Sequence, residues 1–213
     1  MPEFAIDIET IPNRDVEIPE VDTGRLVDPE KIQKKKDEAK SKMALDPFTG
    51  RICCYAAANK DETGGDVLTE ISDEAEKHLL VGLFKYMKRG EFERPRIVTW
   101  NGNGFDIPFI YKRAMILGLD LFEIGVMPMN YWMKRYSVLP HCDLMQVFCN
   151  WYGYLKLDTA AQMVLGETKT AGIDVCEFLS MIENGNGAVI LDYCKQDTEL
   201  TYKLFEKAGQ YLF

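Results

Sequence analysis

The sequence predicts an α/β fold in which a mixed sheet is flanked by helices. Three observations lead to this prediction: three strand-like segments come early, strand and helix patterns then alternate, and the last third of the chain reads as helices. The 213 residues are enough for one domain with a substantial core. Hydrophobic residues make up 46% and charged residues 28%, which excludes whole-chain disorder and a coiled coil.

Short apolar runs are the strand candidates. The first covers 3–9, and RICCYAAA (51–58) has the composition of a buried strand. Gly64 and Gly65 are predicted to turn the chain into a third strand at 66–71, which makes an antiparallel hairpin. The remaining strand candidates are RIVTW (96–100) and a short segment near 141–143.

Helices are predicted from capping residues and apolar periodicity. Ser72 is expected to cap a helix over 72–89, which carries an apolar stripe. A second helix is predicted from about 105 to 117, closed by Gly118, and 119–141 is expected to be irregular. Further helices are predicted at about 144–151, 158–165, 174–183 and 187–208.

The segment 14–50 is highly charged, and we interpret it as an inserted arm. Within it, DPEKIQKKKDEAKSK (28–42) has the composition of a helix and holds six Lys against four Asp or Glu. This stretch is locally basic in an acidic protein. The alternative is a solvated helix that has no partner.

Charge and cysteine content limit the possible functions. The net charge of -9 argues against a protein that holds nucleic acid by bulk electrostatics. It is compatible with an enzyme that meets phosphate through bound metal, because the metal supplies the positive charge. The six cysteines form no C-x-x-C pair and are expected to be reduced and mostly buried. The chain has neither an apolar run of membrane-spanning length nor a signal-like start, so a cytoplasmic location is expected.

Two carboxylates lie on the first predicted strand. Asp7 and Glu9 are two residues apart, so they project from one face, while Ile6 and Ile8 project from the other. Its apolar neighbours indicate that this strand is central. Two carboxylates on one face of a central strand repel each other and lose hydration unless a cation lies between them. The pair alone is weak support for a site, because many such pairs are simply solvated.

Two further acids are expected near that strand. Asp106 follows RIVTW and a Gly-rich turn, at the end of a strand where α/β folds gather active-site groups. An acid early in a helix is also common, because it interacts favourably with the helix dipole. Asp197 lies one turn after Tyr193 in an otherwise apolar stripe, although a hydrogen-bonded pair at the edge of the core is an alternative. The stripe comprises Val189, Tyr193, Asp197, Leu200 and Leu204.

Four acids on three separate elements indicate a site for divalent cations. Hard cations prefer carboxylate oxygens, and four acids can hold two ions. Two metals about 3.5–4 Å apart can stabilise the attacking and leaving oxygens of an in-line phosphoryl displacement. The set therefore favours phosphoryl-transfer chemistry.

Three segments resemble the motifs of a known enzyme family. FAIDIET (4–10), NGNGFD (101–106) and YCKQD (193–197) are similar, in order and separation, to the exonuclease motifs of the DnaQ-like, or DEDD, 3′–5′ exonucleases. The third motif resembles that of the Tyr subclass. MALDPFTGRICCYA (43–56) resembles bacterial predicted exonucleases related to the proofreading domain of family B DNA polymerases. The resemblance extends from residue 4 to about 205, and the charged arm at 14–50 departs from it.

The resemblance implies a ribonuclease H-like fold, with a mixed five-stranded sheet and helices on both sides, in a single exonuclease domain over 1–213. It implies two Mg²⁺ or Mn²⁺ ions. By similarity, Asp7 would bridge both ions, Glu9 and Asp197 would bind the ion that carries the attacking water, and Asp106 would support the second.

The resemblance also implies roles for three further residues. Tyr193 would orient the attacking water, because a phenol with an unperturbed pKa near ~10 is a hydrogen-bonding group rather than a strong base at neutral pH. Phe105 would pack against the terminal nucleotide, and Asn101 would lie close by.

Other residues have more than one interpretation. Asp143 is predicted to cap a helix, the alternative being an acid that supports the metal ligands, and Asp158 is also predicted to be a cap. The segment NYWMKRY (130–136) mixes aromatic and basic residues, which suits base stacking and phosphate contact on single strands. Its aromatic residues could instead cover the core.

The favoured function is a metal-dependent 3′–5′ exonuclease that acts on single-stranded or frayed DNA, or on RNA. No polymerase domain follows in this sequence, so a stand-alone nuclease, or one acting with a partner, is expected. The alternatives are a non-catalytic nucleic-acid-binding or interaction module on the same fold, and a two-metal phosphoesterase with a small nucleotide substrate. The net charge of -9 supports the last of these, because extended polynucleotides usually bind in a basic groove.

Overall fold

The computed structural model describes residues 2–17, 28–88, 95–168 and 173–212. Its five strands form one mixed sheet with the order β3-β2-β1-β4-β5. β1 is antiparallel to β2 and parallel to β4, and β2–β3 is an antiparallel pair, so β1 is central as predicted. The strands are β1 (Glu3–Pro12), β2 (Gly50–Ala58), β3 (Thr63–Val67), β4 (Arg96–Thr99) and β5 (His141–Asp143).

Helices cover both faces of this sheet. The last helix is the longest of those described, and the shortest have four residues. They are α1 (Pro29–Met43), α2 (Asp73–Met87), α3 (Asp106–Ile116), α4 (Leu121–Ile124), α5 (Met129–Trp132), α6 (Leu144–Phe148), α7 (Leu157–Leu165), α8 (Phe178–Glu183), which follows a 3₁₀ turn at Val175–Glu177, and α9 (Gly187–Leu212).

The two faces of β1 meet different parts of the core. Phe4, Ile6 and Ile8 pack in the larger cluster, which includes the apolar sides of α2 and α3. Ala5 lies on the opposite face, in a smaller cluster with residues of α6, α7 and α9. Because side chains alternate along a strand, Asp7 shares the face of Ala5. The sequence therefore places the acids under α9.

The charged arm contains the predicted helix. α1 spans Pro29–Met43, and Asp28 caps it by accepting a hydrogen bond from the Glu30 backbone N–H at 3.0 Å. Residues 18–27 of the arm lie outside the described part of the chain. Among the residues that the structure describes, no helix is both long and apolar enough to cross a membrane.

The hairpin lies earlier in the chain than predicted. Gly64 and Gly65 belong to β3, and the turn precedes them, where the Asn59 side chain accepts from the backbone N–H groups of Asp61 and Glu62 at 2.8 and 2.9 Å. A Cβ at Gly65 would collide with the Tyr55 carbonyl oxygen of the paired strand. Gly65 therefore permits close strand approach rather than a turn.

The buried stripe of α9 agrees with the prediction except at its start. Asp197, Leu200 and Leu204 are buried as predicted. Val189 is exposed, and its neighbour Ile190 is buried instead. The predicted stripe is therefore confirmed over its later part and is displaced by one residue where the helix begins.

Buried charges connect α2, α3 and the strand that follows the arm. The Glu76 carboxylate accepts two hydrogen bonds from the Arg113 guanidinium, at 2.8 and 2.7 Å, and one from the Ile52 backbone N–H at 3.0 Å. Arg51 Nη1 lies 3.7 Å from Glu76, and Arg51 Nη2 lies 2.8 Å from Asp15. The base of the arm is thus linked to the core by ion pairs.

The cysteines are as expected. All six are free thiols, four of them are buried, and Cys176 is exposed. The four buried thiols pack as small apolar side chains.

Candidate active site

The four predicted acids line one cavity of about 520 Å³. Three separate elements supply them: Asp7 and Glu9 come from β1, Asp106 from the start of α3, and Asp197 from α9. Asn101 and Phe105, the predicted substrate contacts, also lie on its wall. The cavity volume is within the range of small-molecule sites, about 300–1,000 Å³.

The two acids of β1 come close together beneath α9. Ligand atoms of Asp7, Glu9 and Cys194 all lie within 4.8 Å of one another. Cys194 Sγ is 3.7 Å from Asp7 Oδ2, so the buried thiol of α9 contacts this carboxylate. The register of β1 against β2 shifts between Glu9 and Thr10, which marks a bulge directly after the second acid.

Asp106 is the most deeply buried acid of the four. It is only 2% exposed, and its Oδ1 has no hydrogen-bond partner. Burial raises the pKa of Asp106 well above its usual value, and the negative charge of Asp7 raises it further. A buried carboxylate oxygen without a partner, beside a second carboxylate, is the arrangement that a cation stabilises.

A second carboxylate shapes the turn that leads to Asp106. Asp143 accepts hydrogen bonds from the backbone N–H groups of Asn101 at 3.1 Å, Asn103 at 2.9 Å and Gln146 at 3.2 Å. The last of these caps α6, as the sequence predicted. Burial raises the pKa of Asp143, and these backbone donors oppose that rise. The turn between β4 and α3 is thus fixed to the end of β5.

The conformation and close packing of this turn restrict which residues fit at two of its positions. Asn101 has a φ of 69°, in the left-handed region that Asn tolerates better than most residues. A Cβ at Gly102 would collide with the Thr99 side chain, so only glycine fits there. Phe105 then precedes α3 and places Asp106 as its first residue.

Tyr193 lies beside the cavity rather than on its wall. Its ring meets the edge of Phe178 of α8 at a centroid distance of 6.0 Å, and the residue is half-buried. Asp197, one turn further along α9, is buried and does line the cavity. The structure thus brings together the four acids, Asn101 and Phe105, with Tyr193 as a neighbour on the same helix.

The sequence did not indicate the other polar and aromatic residues of the cavity wall as site residues. These are Trp100, Tyr154, Lys156 and Asp158. Lys156 is the residue that precedes α7, so Asp158 lies inside the first turn and the prediction of a cap was wrong. The signal available was the alternation of Tyr154 and Lys156, which directs both side chains to one side of the segment before α7.

The segment 130–136 contains one aromatic residue that covers the core and one that is exposed beside a cation. Trp132 is buried, and its Nε1 donates to the Tyr111 hydroxyl at 2.7 Å, so this ring belongs to the core. Tyr136 is exposed, and the Arg135 guanidinium lies 5.5 Å from its ring centroid.

Known proteins are similar to this chain in sequence and in fold. DNA polymerase 1 of Sulfolobus acidocaldarius is 29% identical over 209 residues, which cover 89% of this chain and 22% of that protein. DNA polymerase 1 of Saccharolobus solfataricus is 30% identical over 122 residues, which cover 53% of this chain and 13% of that one. The chain thus spans about a fifth of the length, or less, of these curated relatives.

A solved structure supports the same architecture. The family B DNA polymerase from the hyperthermophilic archaeon Pyrobaculum calidifontis matches with a TM-score of 0.65 and 19% identity, over 97% of this chain and 24% of that chain. The mixed five-stranded sheet with flanking helices is the predicted ribonuclease H-like fold.

A family model described as "Predicted 3'-5' exonuclease related to the exonuclease domain of PolB" matches residues 47–211. The match begins just after α1 and includes β2, α3 and α9, and hence two of the three motifs. Since it covers well over half of the residues, the chain belongs to this family of predicted 3′–5′ exonucleases.

Proposed function

We propose that the protein is a metal-dependent exonuclease that removes nucleotides from the 3′ end of single-stranded or frayed DNA, or of RNA. One observation carries the proposal: four carboxylates from three elements line a single cavity, and one of them has a buried oxygen without a partner. Such an arrangement is unfavourable without a cation and useful with one.

The side chains present fit hard divalent cations. Asp7, Glu9, Asp106 and Asp197 supply carboxylate oxygens, which Mg²⁺ and Mn²⁺ prefer, and they are enough to hold two ions. Bound ions of this kind lower the pKa of a coordinated water and stabilise charge on the leaving oxygen. Asp7 is the central acid of the four, because it lies close to Glu9 and its negative charge raises the pKa of Asp106.

Residues of the chain would then position the substrate. Phe105 lies on the wall directly before Asp106, so its ring can pack against the terminal nucleotide. Asn101 lies on the same turn and offers a polar contact. Lys156 brings a positive charge to a cavity whose other charged lining residues are acids, which suits a phosphate oxygen. Tyr193 would orient the attacking water from its place beside Asp197.

A cleavage assay tests the proposal directly. Purified protein is incubated with 5′-labelled single-stranded DNA or RNA, with Mg²⁺, with Mn²⁺ or with EDTA. The expected result is a ladder of products shortening from the 3′ end, present only with metal. The matched control is Asp7→Asn, which preserves size and removes one charged ligand, and it should give no ladder.

Two other results would contradict the proposal. Metal-independent cleavage, or equal activity of Asp7→Asn, would remove the acids from the chemistry. Retained binding of the oligonucleotide without cleavage under any metal would identify a binding module on the same fold.

A further inference from the structure

A second groove, of about 320 Å³, opens beside the catalytic cavity and contains aromatic and basic side chains. It brings together two segments that are distant in sequence. The end of the 130–136 segment supplies Lys134, Arg135 and Tyr136, and the segment after α6 supplies Trp151 and Tyr152. Its composition differs from that of the acidic cavity, so it calls for a separate explanation.

The two tyrosine rings of this groove are exposed, and its three aromatic rings are arranged against one another. Tyr136 is 56% exposed and Tyr152 is 75% exposed, and their hydroxyl oxygens lie 3.3 Å apart. The Trp151 ring meets the Tyr136 ring edge to face, with centroids 5.6 Å apart and planes at 80°. Large rings held in water without covering the core are poorly explained by packing alone.

The backbone beneath these rings lies in an unfavourable region. Within the described part of the chain, four residues other than glycine have positive φ: Asn101 at 69°, Tyr136 at 56°, Asn150 at 50° and Trp151 at 68°. Bulky aromatic residues rarely adopt this conformation, and such strain concentrates at binding sites. Two of the four carry the groove's own rings, and Asn101 belongs to the catalytic cavity.

The groove also carries local positive charge in an acidic protein. Lys134 and Arg135 both line it, and the Arg135 guanidinium lies 5.5 Å from the Tyr136 ring centroid. Aromatic side chains interleaved with cations match the chemistry of a single strand, whose bases stack and whose phosphates are negative. The two cations therefore lie outside the acidic cavity, where the phosphates of a bound nucleic-acid strand would meet them.

Two short stretches of chain connect the lining of the groove with that of the catalytic cavity. Asn103 lines the groove, and its amide donates to Gln146 at 2.9 Å, while Asn101 of the same turn lines the cavity. Tyr154, 72% exposed, follows Tyr152 by two residues and lines the cavity. Exposed aromatic residues therefore lead from the groove to the four acids.

We propose that this groove binds the nucleotides that precede the 3′-terminal one in a single strand. The bases would stack on Tyr136 and Tyr152, and Lys134 and Arg135 would contact the phosphates. The assignment rests on the proposed function, since the terminal nucleotide would lie in the catalytic cavity. It makes the substrate an extended single strand rather than a free mononucleotide.

Binding and cleavage measured separately test this assignment. Binding of a 5′-fluorescein single-stranded dodecamer, as DNA and as RNA, is followed by fluorescence anisotropy in EDTA over a range of salt concentrations. Tyr152→Ala should weaken binding about 10-fold with the salt dependence unchanged. Arg135→Ala should weaken binding and also lower the slope of log Kd against log salt by about 0.7, the value for one phosphate contact on a single strand.

The controls separate the groove from the cavity. Tyr211→Ala removes another exposed ring, which lies outside both sites, and should bind as the wild type does. The p-nitrophenyl ester of thymidine 5′-monophosphate fills only the catalytic cavity. Both groove variants should hydrolyse it at the wild-type rate with Mn²⁺, because the metal site is unchanged.

The outcomes distinguish the two proposals. Wild-type affinity in both Tyr152→Ala and Arg135→Ala would overturn the groove assignment and leave the exonuclease proposal intact. Loss of ester hydrolysis in the same variants would also overturn it, because the segment would then be supporting the cavity. If the wild type hydrolyses neither substrate but its strand affinity depends on these side chains, the groove assignment holds and the exonuclease proposal fails.

Discussion

At the scale of single residues, Asp106 combines burial, an unpartnered oxygen and a neighbouring negative charge. Without metal this carboxylate destabilises the fold, because its charge is desolvated and is repelled by Asp7. Asp106→Asn should therefore raise the stability of the metal-free protein by roughly 1–3 kcal/mol, the usual magnitude for a buried polar group without a partner. Urea unfolding in EDTA measures this.

The same variant has an opposite expected effect when metal is present. Saturating Mn²⁺ should stabilise the wild type, by about 2.7 kcal/mol at a hundredfold excess over Kd, because the folded state alone forms the site. Asp106→Asn should lose most of that gain. A large loss of stability in EDTA would instead show that Asp106 is chiefly a structural residue of α3.

Tyr193 differs from the acids because only its hydroxyl is expected to act. Tyr193→Phe keeps the ring against Phe178, so α9 should fold as before. If the hydroxyl positions the attacking water, kcat should fall roughly 10²–10⁴-fold while KM and metal affinity change little. Asp197→Ala should instead lower both metal affinity and activity. Steady-state kinetics across a Mn²⁺ titration distinguish the two, and a wild-type kcat would reduce Tyr193 to a packing residue.

The residues of the site were predictable to different extents. Asp7 and Glu9 follow from strand alternation, because a same-face pair of acids on an apolar strand is conspicuous. Lys156 could not be identified in this way, because a single lysine just before a helix is a common surface residue. Its significance comes from the fold, which places Lys156 on the wall of the same cavity as the four acids.

At the scale of elements, the buried Glu76 links α2 to α3 and to β2. Glu76→Gln leaves the guanidinium of Arg113 buried without its counter-charge, so stability should fall by about 3–5 kcal/mol. The matched control is Glu74→Gln on the same helix, where an exposed pair with Lys77 is worth at most about 1 kcal/mol. Urea midpoints of the two variants make the comparison, and equal losses would contradict a structural role for the buried pair.

Some elements could be predicted from sequence and others could not. Ser72 does cap α2, accepting from the Ala75 backbone N–H at 3.1 Å, because serine before a run of acids is a strong local signal. α4 and α5 were missed within 119–141, since a helix of four residues is too short to show a period. The hairpin was displaced because glycine signals both turns and close strand approach, and only the partner strand decides between them.

At the scale of the whole molecule, acid should unfold the protein partly through His141. Burial lowers the pKa of His141 to about 4, and its Nε2 lies 2.8 Å from Thr99 Oγ1, across the β4–β5 pair. Because the folded pKa is below the unfolded value of about 6.5, the neutral form stabilises the fold above pH 6.5. That contribution, about 3 kcal/mol, should be lost as the pH falls from 6.5 toward 4.

A substitution isolates this contribution. His141→Gln keeps a polar side chain near Thr99 and removes the titration, so its stability should change less between pH 7 and pH 4.5 than that of the wild type. Urea midpoints at a series of pH values provide the measurement. Parallel pH profiles for the two proteins would show that other groups govern acid unfolding.

The four acids come from positions 7 to 197, and α9 supplies both Asp197 and the cover for the sheet face that carries Asp7. During synthesis, the first motif therefore leaves the ribosome long before the last helix exists. A nascent chain that ends before α9 holds at most three of the four proposed ligands, on a sheet face without its cover. The proposed cleavage would therefore begin only once the C-terminal helix docks, and incomplete chains would pose no nuclease hazard to the cell that makes them.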